Sequence, residues 1–160
     1  MLNQSAEYAL RAVLHLSTLP QGETTAASDI AQHTRVPLHY LQKILRLLTR
    51  AGLLTARRGT GGGFTLAIPG EQISILQVLE VCDASPQRIE SCPLGIEGHT
   101  QLCPLHHLID QQIANSERVF ANTTIADLRN ASTDLLPLCS SKKDSGRGVC
   151  IHRDSKISEN

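Results

Sequence analysis

The sequence predicts a mainly α fold carrying one small β-hairpin, on three observations. Apolar residues recur at helical spacing over residues 3–18, 37–51, 73–82 and 104–121. The run LLTARRGTGGGFTLAIPG places Leu53, Leu54, Phe64 and Leu66 on either side of a glycine-dense tip at 59–63, the pattern of a two-stranded hairpin. No apolar run approaches the roughly 20 residues that span a bilayer, so no membrane partner is expected.

The elements follow in order. Over 3–18, Ala6, Leu10, Val13, Leu14 and Leu16 fall near one helix face, and Pro20-Gln21-Gly22 ends the helix. A short helix begins at Ser28 or just before it and runs through His33, carrying Ile30 and Ala31; Thr34-Arg35-Val36-Pro37 is a turn. Pro37 suits the first turn of a longer helix over 37–51. That helix directs Leu38, Leu41, Ile44, Leu45 and Leu48 inward and closes with a glycine cap at Ala51-Gly52. Helix, short helix, turn, longer helix and hairpin describe a winged helix-turn-helix, which together with a helix at 73–82 (Ile75, Leu76, Leu79, Cys82) occupies residues 1–82. Residues 83–103 have weak periodicity and read as a loop. A long helix from Pro104 to about Ala121 carries an apolar stripe of Leu105, Leu108, Ile109, Ile113, Val119 and Phe120, and a short return helix over 123–132 completes a unit at 104–135. The tail, 136–160, is rich in Ser, Lys, Gly and Asp and is expected to be disordered.

Net charge is zero, yet its distribution is uneven. Between Ile30 and Gly70 the charged residues are Arg35, Lys43, Arg46, Arg50, Arg57 and Arg58, with no Asp or Glu, which is the electrostatic face of a polyanion binder. Tyr8, Tyr40, Phe64 and Phe120 are the only aromatics, too few for a base-stacking platform, so duplex DNA is favoured over a single strand. The first stretch has an acidic Glu7 and no basic leader, so it reads as a folded helix and the chain as cytoplasmic.

With its leucines inward, the 37–51 helix leaves His39, Gln42, Lys43, Arg46 and Arg50 outward, side chains that reach phosphates and base edges. The N-terminal residues of such a helix touch bases, which adds Leu38 and Tyr40 to His39 and Lys43 as candidates. Arg57 and Arg58 precede the tip of the wing, suited to a minor groove or a backbone clamp. Gly59, Gly62 and Gly63 would let that tip approach phosphates closely.

The segment SCPLGIEGHTQLCPLHHL holds Cys92, Cys103, His99, His106 and His107, with Cys-Pro-Leu occurring twice. Pro104 at a first helical position makes Cys103 an N-cap residue, where the helix dipole favours a thiolate. His106 and His107 lie over the same turn. Sulfur with imidazole suits an iron–sulfur cluster or zinc, and a metal-free reduced loop is the third alternative. Cys82 falls on an apolar helix face and reads as a small core residue. Cys139 and Cys150 lie in the tail as exposed thiols, and His15 reads as a packing residue.

VPLHYLQKILRLLTRAGLL followed by RRGTGGGFTLA resembles the signature of the IscR/NsrR-type family of winged-helix transcription regulators (the Rrf-two family). SAEYALRAVLHL and TTIADL are similar to further family landmarks, so the resemblance covers about residues 1–135. It implies a homodimeric DNA-binding regulator, most simply a repressor, with Arg58 in a minor groove and the 104–121 helix paired with its copy. A symmetric dimer in turn implies a palindromic operator. The Leu105, Leu108, Ile109, Ile113 and Phe120 stripe, wider than a small core absorbs, is the expected interface. Iron–sulfur members carry three cysteines in the loop. Here the middle position falls near Gly98-His99, which departs from a three-cysteine site and leaves a [2Fe–2S] cluster with mixed ligands. The resemblance implies that Cys92 and Cys103 are completed by His99 or His106, or by Glu7 and His33 of the partner subunit. Two other classes are disfavoured. A thiol–disulfide enzyme would want a Cys-x-x-Cys in a βαβ setting, and a protein adaptor would want a neutral wing.

Overall fold

Helix α1 (Gln4–Ser17) is the centre of the fold, packing on four other helices. Asn3 caps its start, its side-chain oxygen accepting from the Ala6 N–H at 2.8 Å. Ala6, Ala9, Val13 and their neighbours are buried, and the small alanines allow the close approach of helices α2 (Ala27–Thr34) and α3 (Leu38–Arg50). In the computed structural model the described residues are 2–93 and 101–131. The expected tail at 136–160, with Cys139 and Cys150, and the loop residue His99 lie outside them.

The turn between α2 and α3 has a feature that the sequence did not announce. Arg35 closes α2 in the left-handed conformation, φ +55°, a position that usually takes glycine. Val36 then enters the core and Pro37 caps α3. On α3 the inward stripe is Leu41, Ile44, Leu45 and Leu48, all buried. Full burial of each such side chain stabilises the fold by roughly 1.5–3 kcal/mol. Leu38 departs from expectation: it is 41% exposed, because it stands at the first position of the helix, ahead of the turn that the body covers. The helix ends in a Schellman motif around Gly52, φ +76°, with Gly52 N–H to Thr49 O at 3.1 Å and Leu53 N–H to Leu48 O at 3.0 Å.

Strands β1 (Leu54–Arg57) and β2 (Gly63–Leu66) form an antiparallel wing in which Leu54 faces Leu66 and Arg57 faces Gly63. Thr25, in the α1–α2 connection, adds two backbone hydrogen bonds to Phe64, of 3.0 and 2.9 Å, and the Thr24 hydroxyl donates to Gly61 O at 2.8 Å. The wing is therefore fastened to the body at its tip and at the strand residue next to it.

Helix α4 (Ile75–Val81) starts two residues later than its apolar pattern, because Ile73 is extended and pairs with the chain at 123–125. Ser74 and Thr124 each form a capping box, with Gln77 and Asp127, at the starts of α4 and of α6 (Ile125–Asn130). Between them helix α5 (Pro104–Asn122) packs on α4. Cys103 is its N-cap residue and Pro104 its first residue, as the sequence indicates. None of the described helices is long and apolar enough to cross a membrane.

Candidate nucleic-acid interface and metal centre

The six cations between Ile30 and Gly70 all lie on the surface: Arg35 at the inter-helix turn, Lys43, Arg46 and Arg50 on α3, Arg57 and Arg58 at the wing. The described ion pairs are Glu7–Arg11, Arg88–Asp110 and Arg129–Glu71, so these six are not neutralised within the described residues. His39 and Gln42 are exposed beside Lys43. Tyr40 is only partly free, its ring meeting Tyr8 edge-on at 6.0 Å and thereby tying the start of α3 to α1. At the tip, internal geometry explains two glycines. A Cβ on Gly62 would sit 2.4 Å from Arg57 O, and one on Gly63 would sit 2.4 Å from Thr25 O. These two shape the turn of the wing; close approach to a phosphate is not needed to account for them.

A second constellation forms where the 83–93 segment meets α5. The ligand atoms of Cys92, Cys103 and His106 all lie within 4.8 Å of one another. His106 Nδ1 is 3.1 Å from Cys103 Sγ and 3.6 Å from Cys92 Sγ. Cys92 is buried, while Cys103 and His106 are half-buried. Helix geometry accounts for the Cys103–His106 pair, since residues three apart share a face. His107, the next residue, turns outward, its Nε2 accepting from the Gln111 amide at 3.0 Å.

Cys92 is brought to α5 by a clamp that sequence reasoning missed. Asp110, buried on α5, accepts a two-pronged bond from Arg88 at 2.8 and 2.6 Å and a third bond from the Ile89 N–H at 2.9 Å. The Arg88 guanidinium first, and then the Ile89 amide, hold the Asp110 carboxyl down at about 2. The signal was slight: one acid on the face of a helix that also presents Cys103 and His106, and one arginine in a loop.

Glu7 and His33 do not join this group within one chain. Glu7 pairs with Arg11 on the next turn of α1. His33 donates from Nδ1 to Asp29 O at 2.7 Å, which leaves Nε2 as its open nitrogen. Its ring stacks on His15 with centroids 4.9 Å apart. Burial, and then the proximity of His33, push His15 down to about 4, in keeping with a packing role. Cys82 is a core residue whose thiol is raised by burial, and then by the Asp83 charge, and lies 3.7 Å from Ser5 O.

A family model described as an iron-dependent transcriptional regulator, Rrf2, matches residues 2–131. The chain belongs to the Rrf2 family. Solved structures share the fold of this Rrf2 regulator. CymR, the global cysteine regulator of B. subtilis, is 24% identical with a TM-score of 0.67, over 80% of this chain and 95% of that one. IscR of T. potens is 20% identical with a TM-score of 0.66, over 79% and 84% of the two chains. An oxidised form of Staphylococcus aureus CymR is 21% identical with a TM-score of 0.67, over 83% and 98%. The winged helix-turn-helix read from the sequence is thus the architecture of known regulators, and this Rrf2 protein is a transcriptional regulator.

The donor set suits the metals named from the sequence. Among the described residues two sulfurs and one imidazole nitrogen converge with no carboxylate beside them, and soft ligands of this kind favour iron–sulfur clusters or zinc over magnesium or calcium. Among the described residues these three donors fall one short of the four that a tetrahedral zinc or a [2Fe–2S] cluster takes.

Proposed function

We propose that this Rrf2 regulator is a homodimeric DNA-binding repressor that holds a [2Fe–2S] cluster at Cys92, Cys103 and His106. The carrying observation is the convergence of these three donors at the start of α5. The fourth ligand then comes from outside the group: His99, or Glu7 or His33 of a second copy. A bound cluster would supply a one-electron redox centre that oxidants and nitric oxide can attack. The protein supplies the positions. Cys103 caps α5, His106 stands one turn along it, and the Arg88–Asp110 clamp holds the segment that leads to Cys92. The domain limits follow the same division, with DNA contacts in 1–82, the sensor loop in 83–103 and pairing in 104–135.

The DNA surface would be the exposed face of α3 with the wing. Lys43, Arg46 and Arg50 contact phosphate and base edges, Leu38, His39, Tyr40 and Gln42 lie at the major groove, Arg35 and Arg57 lie on the backbone, and Arg58 enters the minor groove. Gly59, Gly62 and Gly63 form the tip that presents Arg58. The second copy pairs along α5, where Leu105, Leu108, Ile109 and Val119 are exposed and Ile113 and Phe120 are half-buried. A groove of about 640 Å³ lined by Leu2, Leu108, Ile113 and Phe120 lies along that face. A two-fold dimer calls for a palindrome with half-sites one turn of about 34 Å, or a multiple, apart.

Selection of duplexes from a randomised pool tests this reading, with sedimentation of the same protein. Enrichment of a palindrome bound by a dimer is the expected result. Absence of duplex enrichment, or tight binding by a monomer, would refute it.

A further inference from the structure

We propose that, in the metal-free protein, Cys92 and Cys103 are a peroxide-oxidisable pair that closes to an intramolecular disulfide, a state that excludes metal from the same site. This goes beyond the cluster reading and does not rest on it, since it needs only the two thiols and the imidazole.

Three features carry the inference. The two sulfurs lie within 4.8 Å of each other, with His106 Nδ1 against both, at 3.1 and 3.6 Å. Their exposure is unequal, Cys103 half-buried and Cys92 only 8% exposed, so one thiol meets a solvent oxidant first and the other waits beneath it. Moreover, Cys103 is the N-cap residue of α5: its carbonyl accepts from the His107 N–H at 2.9 Å, while its side chain makes no capping hydrogen bond and is not held by the helix. A change of its side-chain torsion can therefore shorten the sulfur–sulfur gap towards the bonding distance of about 2.05 Å without unwinding the helix. Cys82, by contrast, is committed to the core and raised by burial.

The chemistry balances with one peroxide. The Cys103 thiol gives its proton to His106 Nδ1, and the sulfur attacks one peroxide oxygen. The O–O bond breaks, an S–O bond forms, and the departing hydroxide takes the proton from His106 to leave as water. The Cys92 sulfur then attacks the Cys103 sulfur. The S–S bond forms, the S–O bond breaks, and the Cys92 proton leaves with the hydroxyl as a second water. Two thiols are oxidised by two electrons in total, and one hydrogen peroxide is reduced to two waters. Both sulfurs are then consumed, leaving His106 alone of the three donors.

The test uses the full chain, reduced and stripped of metal, treated with one equivalent of hydrogen peroxide and mapped by alkylation and peptide mass spectrometry. A Cys92–Cys103 linkage within one chain, with Cys82 still alkylated, is the expected product. Cys92→Ser should leave Cys103 as a sulfenic acid that dimedone traps, and His106→Gln should slow closure about tenfold or more. Zinc loaded beforehand should protect both thiols, and the preformed disulfide should abolish stoichiometric zinc uptake. Cys92 and Cys103 both remaining free, or linked instead to Cys139, Cys150 or another chain, would overturn the proposal, as would zinc uptake undiminished by the disulfide. None of these readouts depends on cluster assembly, so a colourless protein can still close the disulfide and a coloured one can fail to.

Discussion

Replacing Arg58 by alanine should change how DNA affinity depends on salt by an amount set by the number of cations presented. Each chain carries six exposed cations from Arg35 to Arg58, outside the described ion pairs. A dimer presents twice that number. If all engaged phosphates, the log–log dependence of affinity on salt would have a slope of about −11, and if half did, about −5, at roughly −0.9 per contact. Arg58→Ala removes one cation per subunit, so the slope should become shallower by about 1.8. The loss at fixed salt should be larger at A·T-rich flanks, by about 1–3 kcal/mol if the guanidinium enters a narrow minor groove. Arg118→Ala is the control, because Arg118 is also exposed but lies on α5, bonded to Asn115 and not on the wing or α3. Fluorescence anisotropy with a selected duplex, titrated from about 50 to 200 mM potassium chloride, reads both quantities. An unchanged slope in Arg58→Ala, or an equal change in Arg118→Ala, would refute the placement of the wing on DNA.

Three further outcomes follow from single residues. Asp110→Asn removes the carboxylate that binds Arg88 and Ile89 together, and zinc or cobalt affinity at Cys92, Cys103 and His106 should fall by about 10–100-fold, read by competition with a chromophoric chelator. Arg35→Gly relieves a left-handed residue, so chemical denaturation should show stability unchanged or raised by up to about 1 kcal/mol while DNA affinity drops. His15, held near 4 when folded, takes up a proton in the unfolded chain first. Metal-free protein should therefore lose stability as pH falls from about 6.5 to about 4, by roughly 1–2 kcal/mol after discounting for partial exposure, and His15→Gln should flatten that part of the profile.

What the sequence revealed and what it hid divide along a physical line. The helices, the wing and the capping of α5 by Cys103 and Pro104 are local, written in 3.6-residue periodicity and in proline and glycine placement, and each is visible in a short window. Leu38 shows the limit of periodicity: its spacing matches the buried stripe, but a helix end has no neighbour over it. The convergence of Cys103 and His106 was legible because both lie on one helix. That Cys92 joins them was implied by the family resemblance, but how it gets there was hidden, since it depends on Arg88 and Asp110, 22 residues apart, finding each other in three dimensions. The stacking of His15 on His33 was hidden for the same reason, as was the edge-on contact of Tyr40, a candidate base contact, with Tyr8.

The proposed function rests on Cys92, Cys103 and His106 holding an iron–sulfur cofactor in a DNA-binding regulator. The visible absorption spectrum of anaerobically isolated protein, with iron and sulfide measured on the same sample, tests it most directly. A coloured protein with about two irons and two sulfides per cluster is expected. The colour should be lost in Cys92→Ser and in Cys103→Ser and kept in Cys82→Ser. A colourless, iron-free protein whose Cys92 and Cys103 are fully reduced, or one carrying stoichiometric zinc instead, would contradict it.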